Sequence, residues 1–419
     1  MLDRTLAPPF NKSTAFNLLL PERQTLQNGV EAFFVSGGNQ EVIRVELVFP
    51  AGRWFERKWG AAYFAANLHS KGTSTKTSFE IAQAFDHYGA HLEISPGLDV
   101  VSISLFSLNK NLQPALSLLS ELISDSAFPE KEIEQIKSIY LQNLKVNNEK
   151  TSFQASKLIR KNLFGELYPY GKELEESDVA ALSRDHLIDH FNTFFKDITL
   201  FVSGKITAEN KQNIIQTLSV LPCSKQLDKM ISLSDPGKTS QRVEKEGSIQ
   251  SSIRMGKRII DRKHPDYAHI LLLNHILGGY FGSRLMKNIR EEKGLTYGIY
   301  SSLNILKHNG FLVIGADVNK ENLDLTFDEI RKELKRLRTE KINQEELDTA
   351  RNHFIGSLQS EITTPFAHSD KIKNIVMFHL PDQYYQNLIH KIDGASFADL
   401  LRIANDYFSE DSFTEVAVG

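Results

Sequence analysis

The sequence predicts an α+β fold made of two homologous halves, each a mixed or antiparallel sheet covered by helices on one face. Strand-like segments alternate with helical ones, but 91–95 and 100–108 are separated by only a short turn, which favours antiparallel pairing. Whole patterns recur roughly 214 residues later in the chain, which indicates a duplication. The length of 419 residues also exceeds that of a usual single core.

The first half begins with an extended arm, 1–20, that contains Pro8 and Pro9. In the strand 43–49 (IRVELVF), apolar residues alternate with Arg44 and Glu46, which predicts one buried face. Segment 60–70 (GAAYFAANLHS) is apolar nearly all round and predicts a buried helix. The other predicted elements of this half are helices 79–88, 114–123, 130–147 and 185–195, and strands 91–95, 100–108 and 199–202.

The repeat sets the domain boundaries. PEKEIEQIKSIYLQNL from Pro129 aligns with NQEELDTARNHFIGSL from Asn343, and the strand FVSG at 201–204 is echoed by VAVG at 416–419. Between the two copies lies a polar stretch that contains a Pro-Gly pair. We therefore predict an N-terminal half at 1–222, a linker at 223–247 and a C-terminal half at 248–419.

Composition excludes several classes of protein. Lys plus Arg number 49 and Asp plus Glu 52, and this near balance argues against a general nucleic-acid or membrane-surface binder. Cys223 is the single cysteine, which excludes an internal disulfide and a cysteine-based zinc site. No signal-like segment is present, and no apolar run approaches the roughly 20 residues that span a bilayer. A cytoplasmic location is the expectation.

A helix-to-strand corner dominates the second half. Gly278 and Gly279 close an apolar helix, and Ser283 is the expected N-cap of the next one. That helix is expected to run to about residue 293, where Gly294 would adopt the left-handed conformation that ends a helix. A strand is predicted to follow at 296–302.

Two residues of this corner are candidates for binding. Arg290 lies in the last helical turn and Tyr297 at the start of the strand. A guanidinium and a phenol placed together could hold a peptide carbonyl or an oxyanion. The alternative is that Arg290 only offsets the helix dipole while Tyr297 is a core residue.

The segment GSRLMKNIREEKGLTYGIYSS closely resembles the C-terminal half of the pitrilysin/insulinase metallopeptidase family, which includes the mitochondrial processing peptidases. The similarity extends from about Val42 to Gly419. In that family an Arg and a Tyr at this spacing, matched by Arg290 and Tyr297, reach towards a zinc site in an N-terminal half. The resemblance implies a LuxS/metallopeptidase-like fold, with the halves arranged as a clamshell around a peptide chamber.

Active members of the family carry the motif HxxEH on the helix that matches 60–70, where two histidines bind zinc and the glutamate acts as base. A glutamate from a later helix completes the site. Alignment places Tyr63, Ala66 and Asn67 at the three motif positions and Asn143 at the later one. None of these supplies an imidazole or a carboxylate, so we expect no metal and no cofactor in this chain.

Two further patterns have ordinary alternatives. His186, Asp189 and His190 have an HxxDH spacing that could place both imidazoles on one helix face, but we favour the alternative of a solvent-facing helix. The charged run 331–342 (RKELKRLRTEKI) is typical of a solvated helix face.

The resemblance is therefore to the zinc-less subunit of bipartite bacterial members of the family. It implies a non-catalytic subunit of a heterodimeric zinc metallopeptidase, which grips unfolded peptides while an HxxEH-bearing partner holds the zinc. The peptide would add a strand to an exposed edge near 91–98. Whether the chain forms a homodimer when the partner is absent stays open. Two alternatives stay open: an assembly protein without peptidase role, and an enzyme with a relocated metal site at His186 and His190.

Overall fold

The computed structural model describes Thr5, residues 15–233, Gly237 and residues 239–419 of the protein. The predicted arm around Pro8 and Pro9 lies outside the described residues. The N-terminal sheet consists of β1 (Glu22–Thr25), β2 (Glu31–Ser36), β3 (Val42–Phe49), β4 (His91–Pro96), β5 (Val101–Leu108) and β6 (Thr199–Gly204). The strands lie in the order β1-β2-β6-β3-β5-β4, with β2 and β6 parallel and the other neighbours antiparallel.

Helices cover the sheet of this half. They are α1 (Ala61–Leu68), α2 (Ser78–Tyr88), α3 (Leu112–Ser124), α4 (Glu130–Asn148), α5 (Thr151–Phe164), α6 (Glu176–Ala180), α7 (Arg184–Phe194) and α8 (Ala208–Leu218). Local signals explain the ends of α2, which begins at a capping box made by Thr77 and Glu80 and stops at Gly89 in the left-handed conformation. The apolar helix α1 is buried on almost every side, as its sequence predicts.

The C-terminal sheet consists of β7 (Gln241–Val243), β8 (Gln250–Ile259), β9 (Thr296–Ile305), β10 (Gly310–Asn319) and β11 (Thr414–Val418). Its helices are α9 (Tyr267–Asn274), α10 (Leu323–Thr339), α11 (Gln344–Ser360), α12 (Pro365–Met377), α13 (Tyr384–Asp393) and α14 (Phe397–Tyr407), together with π-helices at His275–Gly279 and Met286–Glu292. Part of the predicted linker, 241–243, is thus the strand β7.

The two sheets share one topology. The C-terminal order β7-β11-β8-β10-β9 repeats the N-terminal order β2-β6-β3-β5-β4, including the single parallel pair among the described strands of each repeat. The predicted α+β fold of two homologous halves, each a mixed sheet with helical cover in a clamshell arrangement, is confirmed. Each half also has its own apolar core.

The prediction that only one face of β3 is buried is wrong, because a helix of the other half covers the second face. On that face α12 packs Ile372 against Phe33, Val48 and Phe201. Lys373 Nζ lies 2.6 Å from Glu46 Oε1. Since a buried charge is costly without a partner, this ion pair makes it possible for a strand with polar residues to lie inside the protein.

A helix of the N-terminal half likewise covers the C-terminal sheet, so the two halves exchange helices. Helix α5 of the N-terminal half crosses β8 and β11 of the C-terminal sheet. There Thr151 Oγ1 lies 2.9 Å from Ser252 Oγ, and Arg254 Nε donates to Ser156 Oγ at 3.2 Å. A Cβ at Gly256 would lie only 3.2 Å from Ile159, so glycine lets this helix approach closely. Among the described residues, no helix is long and apolar enough to cross a lipid bilayer.

Candidate functional site: the Arg290–Tyr297 corner

The corner between the π-helix Met286–Glu292 and β9 has a defined backbone. Lys293 N–H donates to the Asn288 carbonyl at 3.1 Å, and Leu295 N–H donates to the Ile289 carbonyl at 3.0 Å. Gly294 adopts φ +62°, so the helix ends in the left-handed conformation that the sequence predicts. Short π-helical turns of this kind occur often at functional sites.

The helix begins directly after Ser283, as predicted, but its cap lacks a side-chain hydrogen bond. Ser283 does not cap it through its side chain, because Oγ is buried and has no hydrogen-bond partner among the described residues. The Ser283 carbonyl instead accepts a hydrogen bond from Lys287 N–H at 3.0 Å. Ser283 therefore stands at the expected N-cap position, but it caps the helix without a side-chain hydrogen bond.

A β-bulge directs Tyr297 outwards. Thr296 pairs with Val318 and Ile299 with Ala316, so Tyr297 and Gly298 together oppose Asp317. Thr296 Oγ1 donates to the Asp317 carbonyl at 2.7 Å and holds the bulge in place. The Tyr297 side chain is consequently 90% exposed, which removes the alternative that it is a core residue.

Arg290 lies between two exposed aromatic rings. Its guanidinium carbon is 4.9 Å from the centroid of Phe281 and 4.9 Å from that of Tyr297. Such stacking holds a cation in place without consuming its hydrogen-bond donors. Arg290 makes no side-chain hydrogen bond or ion pair with any described residue. The corner therefore presents free donors on a rigid support.

A groove and a sheet edge adjoin this corner. Tyr297 lines a groove of about 440 Å³ together with Gln250, Thr296 and Asp317. In the described part of the chain, β9 is the last strand of its sheet, as β4 is of the other. The edge predicted near 91–98 is thus β4, whose side chains alternate between exposed and half-buried. An edge strand has unpaired backbone groups that an extended peptide can use.

A buried polar network lies beneath the corner. Asn288 Nδ2 donates to Glu329 Oε2 at 3.0 Å and to Glu333 Oε1 at 2.6 Å. Lys293 Nζ donates to Asn288 Oδ1 at 2.6 Å and pairs with Glu329 at 3.2 Å. Burial alone would raise the pKa of Glu329, but the hydrogen bonds from Asn288 and Lys293 outweigh it and hold that pKa below its usual value.

This network corrects the prediction that 331–342 is simply a solvated helix face. Glu333 is fully buried, and its Oε1 also accepts from Arg336 at 2.9 Å. Its second oxygen has no hydrogen-bond partner among the described residues. The network fixes the last turn of the helix, and hence Arg290, against α10.

The positions that match the zinc motif hold no metal-binding set. Ala66 is buried and has no donor atom, and Asn67 Nδ2 donates to the Tyr63 carbonyl of its own helix at 2.8 Å. Asn143 lies on the exposed side of α4. Across the described residues, no three His, Cys, Asp or Glu side chains lie close enough together to hold a metal ion.

Aromatic rings fill the contact between α1 and α4. Ring centroids are 5.0 Å apart for Tyr63 and Tyr140, and 5.3 Å apart for Phe64 and Tyr140. Burial raises the pKa of Tyr63 and raises that of Tyr140 to about 12. Zinc binds imidazole, thiolate and carboxylate, and two protonated phenols do not replace them. The zinc ion of active family members therefore does not fit these residues.

The HxxDH spacing does not form a site either. His186 Nδ1 accepts from Ser183 N–H at 3.1 Å at the exposed start of α7, while His190 is buried with Nε2 2.9 Å from the Ala51 carbonyl. Burial lowers the pKa of His190 to about 4. Asp189 pairs with Arg57 instead. The alternative of a solvent-facing helix holds for His186 and Asp189, which are exposed, but not for His190, which points into the core.

The sequence predicted that Arg290 and Tyr297 lie at one corner, but it did not identify the residues that hold them there. Phe281 carried a weak signal, as an apolar residue between Gly279 and Gly282 in a turn. Asn288 shows no distinguishing pattern, because its two carboxylate partners lie more than 40 residues away.

Two family models match the chain in succession. Residues 35–175 match the model described as Insulinase (Peptidase family M16), and residues 181–354 match the model described as Peptidase M16 inactive domain. Together they span more than half of the sequence, and both belong to one family.

Individual relatives match over most of the chain. An uncharacterized zinc protease, YmxG, from Bacillus subtilis (strain 168) is 22% identical over 398 residues, 93% of this chain and 96% of that protein. A protein of Helicobacter pylori named non-peptidase homolog YmxG is 23% identical, over 85% of this chain and 84% of its own. The crystal structure of a peptidase M16 inactive domain from Pseudomonas fluorescens matches with a TM-score of 0.88 and 24% identity, over 96% of this chain and 98% of that one.

Proposed function

This chain belongs to the insulinase family of peptidases, family M16, and we propose that it is a subunit that grips unfolded peptides for a zinc-bearing partner. It is an inactive member of the family, since Tyr63, Ala66, Asn67 and Asn143 supply neither zinc ligands nor a general base. In the proposed heterodimer, the partner carries HxxEH and performs the hydrolysis, and this chain supplies a binding wall.

The observation that supports this role is the state of Arg290. Its charge is held by Phe281 and Tyr297 and not neutralised by a carboxylate among the described residues. An arginine that served only stability would gain from such a partner, whereas one that binds substrate must keep its donors free. The Tyr297 hydroxyl lies on a side chain that is almost fully exposed.

The peptide is expected to lie in an extended form. The edge strand β4 can pair with it through backbone groups, as can β9, next to the groove of about 440 Å³. Backbone pairing does not depend on side-chain identity. It does need an extended segment with free backbone groups, so an unfolded segment would bind and a folded protein would not. Arg290 and Tyr297 would then donate to a peptide carbonyl and strengthen their hold as negative charge develops on its oxygen.

The test is reconstitution. The purified chain and an HxxEH-bearing homologue from the same genome are assayed separately and mixed, with an internally quenched unfolded peptide as substrate. We expect little hydrolysis by either protein alone and a clear increase on mixing, with a complex of one copy of each by light scattering. Replacing Tyr297 by Phe should lower the rate of the mixture about tenfold or more, the loss expected for one donor to a developing charge.

Arg57→Ala is a matched control. Arg57 is an exposed arginine of the N-terminal half, where it pairs with Asp189. The rate of the mixture should not change with this variant. A complex that forms without any gain in hydrolysis would indicate an assembly role instead. Hydrolysis by the isolated chain that a chelator abolishes would contradict the proposal.

A further inference from the structure

A second cavity lies in the C-terminal half and plays no part in the proposed peptide contacts. It has a volume of about 390 Å³ and opens between the start of α9 and α13. Volumes of this size hold small ligands. Ala268, Leu380, Pro381 and Leu388 provide apolar walls.

The charged groups of the lining are all cations. They are Arg262, Lys263 and Lys391, next to the imidazoles of His264 and His390, and no carboxylate of the described residues is among the lining groups. Neither lysine makes an ion pair with a described residue. A concave surface with charge of one sign concentrates ligands of the opposite sign.

Arg262 lies between this cavity and a neighbouring one that Asp228, Asp261 and Phe378 line. Its guanidinium carbon lies 4.5 Å from the ring centroid of Phe378, and its Nε is buried without a hydrogen-bond partner among the described residues. The adjacent carboxylate Asp266 is already bound by Arg402 at 2.8 Å and by the Tyr407 hydroxyl at 3.0 Å. Arg262 therefore has a planar set of donors and no internal partner for them.

Two phenols converge on the same place. The Tyr267 and Tyr384 side chains line the cavity, and neither hydroxyl is hydrogen-bonded to a described residue. Burial raises the pKa of each phenol, and the nearby charge of Arg262 opposes that effect in both. Both hydroxyls thus remain protonated at neutral pH and can donate hydrogen bonds next to the guanidinium.

We propose that this cavity binds a carboxylate carried on an apolar body. The fork of Arg262 matches the two oxygens of a carboxylate, the Tyr267 and Tyr384 hydroxyls add donors, and the apolar body packs against Leu380 and Leu388. The apolar walls favour a ligand with its charge at one end only. Such a group occurs in a small aliphatic or aromatic acid and at the C-terminus of a peptide that ends in an apolar residue.

The test titrates the full-length chain with octanoate and with N-acetylphenylalanine, followed by calorimetry and by ligand-observed NMR. The neutral controls are octanamide and N-acetylphenylalanine amide. We expect saturable binding of an acid with Kd of about 1 mM or below, and at least tenfold weaker binding of its amide. Tighter binding of octanoate would identify a free acid as the source, and tighter binding of N-acetylphenylalanine a peptide terminus.

Variants locate the site and separate it from the proposed function. Arg262→Gln should weaken binding tenfold or more, and Tyr384→Phe should weaken it several-fold with an unchanged melting temperature. Arg290→Gln should bind the acids as the unmodified chain does, even if its peptide contacts are lost. Equal affinity for acids and amides, full affinity in both cavity variants, or no saturable binding up to about 10 mM would each overturn the proposal.

Discussion

Replacing Asn288 by alanine tests whether the buried network holds the Arg290–Tyr297 corner in place. The substitution removes the donor of two hydrogen bonds to buried carboxylates, 3.0 Å to Glu329 and 2.6 Å to Glu333. It also removes the acceptor of the Lys293 ammonium at 2.6 Å. Each hydrogen bond to a charged group is worth roughly 1.5–3 kcal/mol, and a buried group left without a partner costs a similar amount.

Because Lys293 and Arg336 still neutralise the two carboxylates, the loss should be smaller than the sum of both bonds. We expect Asn288→Ala to lower the free energy of unfolding by about 3 kcal/mol. Urea denaturation followed by circular dichroism measures this value. Asn405→Ala is the control, since Asn405 is exposed and donates only to backbone carbonyls, and it should stay within about 0.5 kcal/mol of the unmodified chain.

A double-mutant cycle with Glu333→Gln isolates the contact itself, and a coupling of at least about 1 kcal/mol is expected for groups in one network. A destabilisation by Asn288→Ala below about 1 kcal/mol, with no coupling to Glu333, would refute the reasoning. It would mean that water satisfies the carboxylates and that the corner is held by backbone and aromatic contacts alone.

Three other measurements test separate parts of the account. Burial lowers the pKa of His69 and of His190 to about 4. The stability that the neutral imidazoles supply is therefore complete above pH 6.5 and is lost as the pH falls towards 4, by up to about 1.4 kcal/mol per pH unit for each histidine. When the free energy of unfolding is measured at several pH values, its slope against pH should be shallower in His190→Gln. Gly294→Ala should destabilise by about 1 kcal/mol because of its left-handed backbone, and Gly356→Ala, in the middle of α11 with open space around it, should stabilise by a similar amount in the same assay. Dialysis against EDTA should leave the melting temperature of the isolated chain unchanged, and a fall of several degrees would show that the chain binds a structural metal.

The fold could be predicted because its signals are local and repeated. Helix periodicity, the stop at Gly89 and the duplicated segments at 129 and 343 together indicated two α+β halves. The exchange of helices between the halves could not be predicted. Glu46 looks like a solvent-facing residue in its own strand, and the approach of Lys373, more than 300 residues later, is what the sequence does not show.

The same distinction applies to the site. The seven-residue spacing between Arg290 and Tyr297 crosses one helix end and one strand start, so their proximity follows from local structure. The outward direction of Tyr297 depends on the bulge opposite Asp317, which lies on another strand. Similarly, Glu333 belongs to a charged run, and nothing in that run distinguishes it as the residue that is buried.

The central claim is that this chain contributes a binding wall and not the hydrolytic centre, and one kinetic comparison tests it most directly. The value of kcat/KM for an unfolded peptide is measured for the mixture with an HxxEH-bearing partner, using the unmodified chain, Arg290→Ala and Arg57→Ala. The account predicts a loss of roughly a hundredfold for Arg290→Ala, as for a missing donor to a developing oxyanion, and none for Arg57→Ala. Equal values for all three mixtures would contradict it.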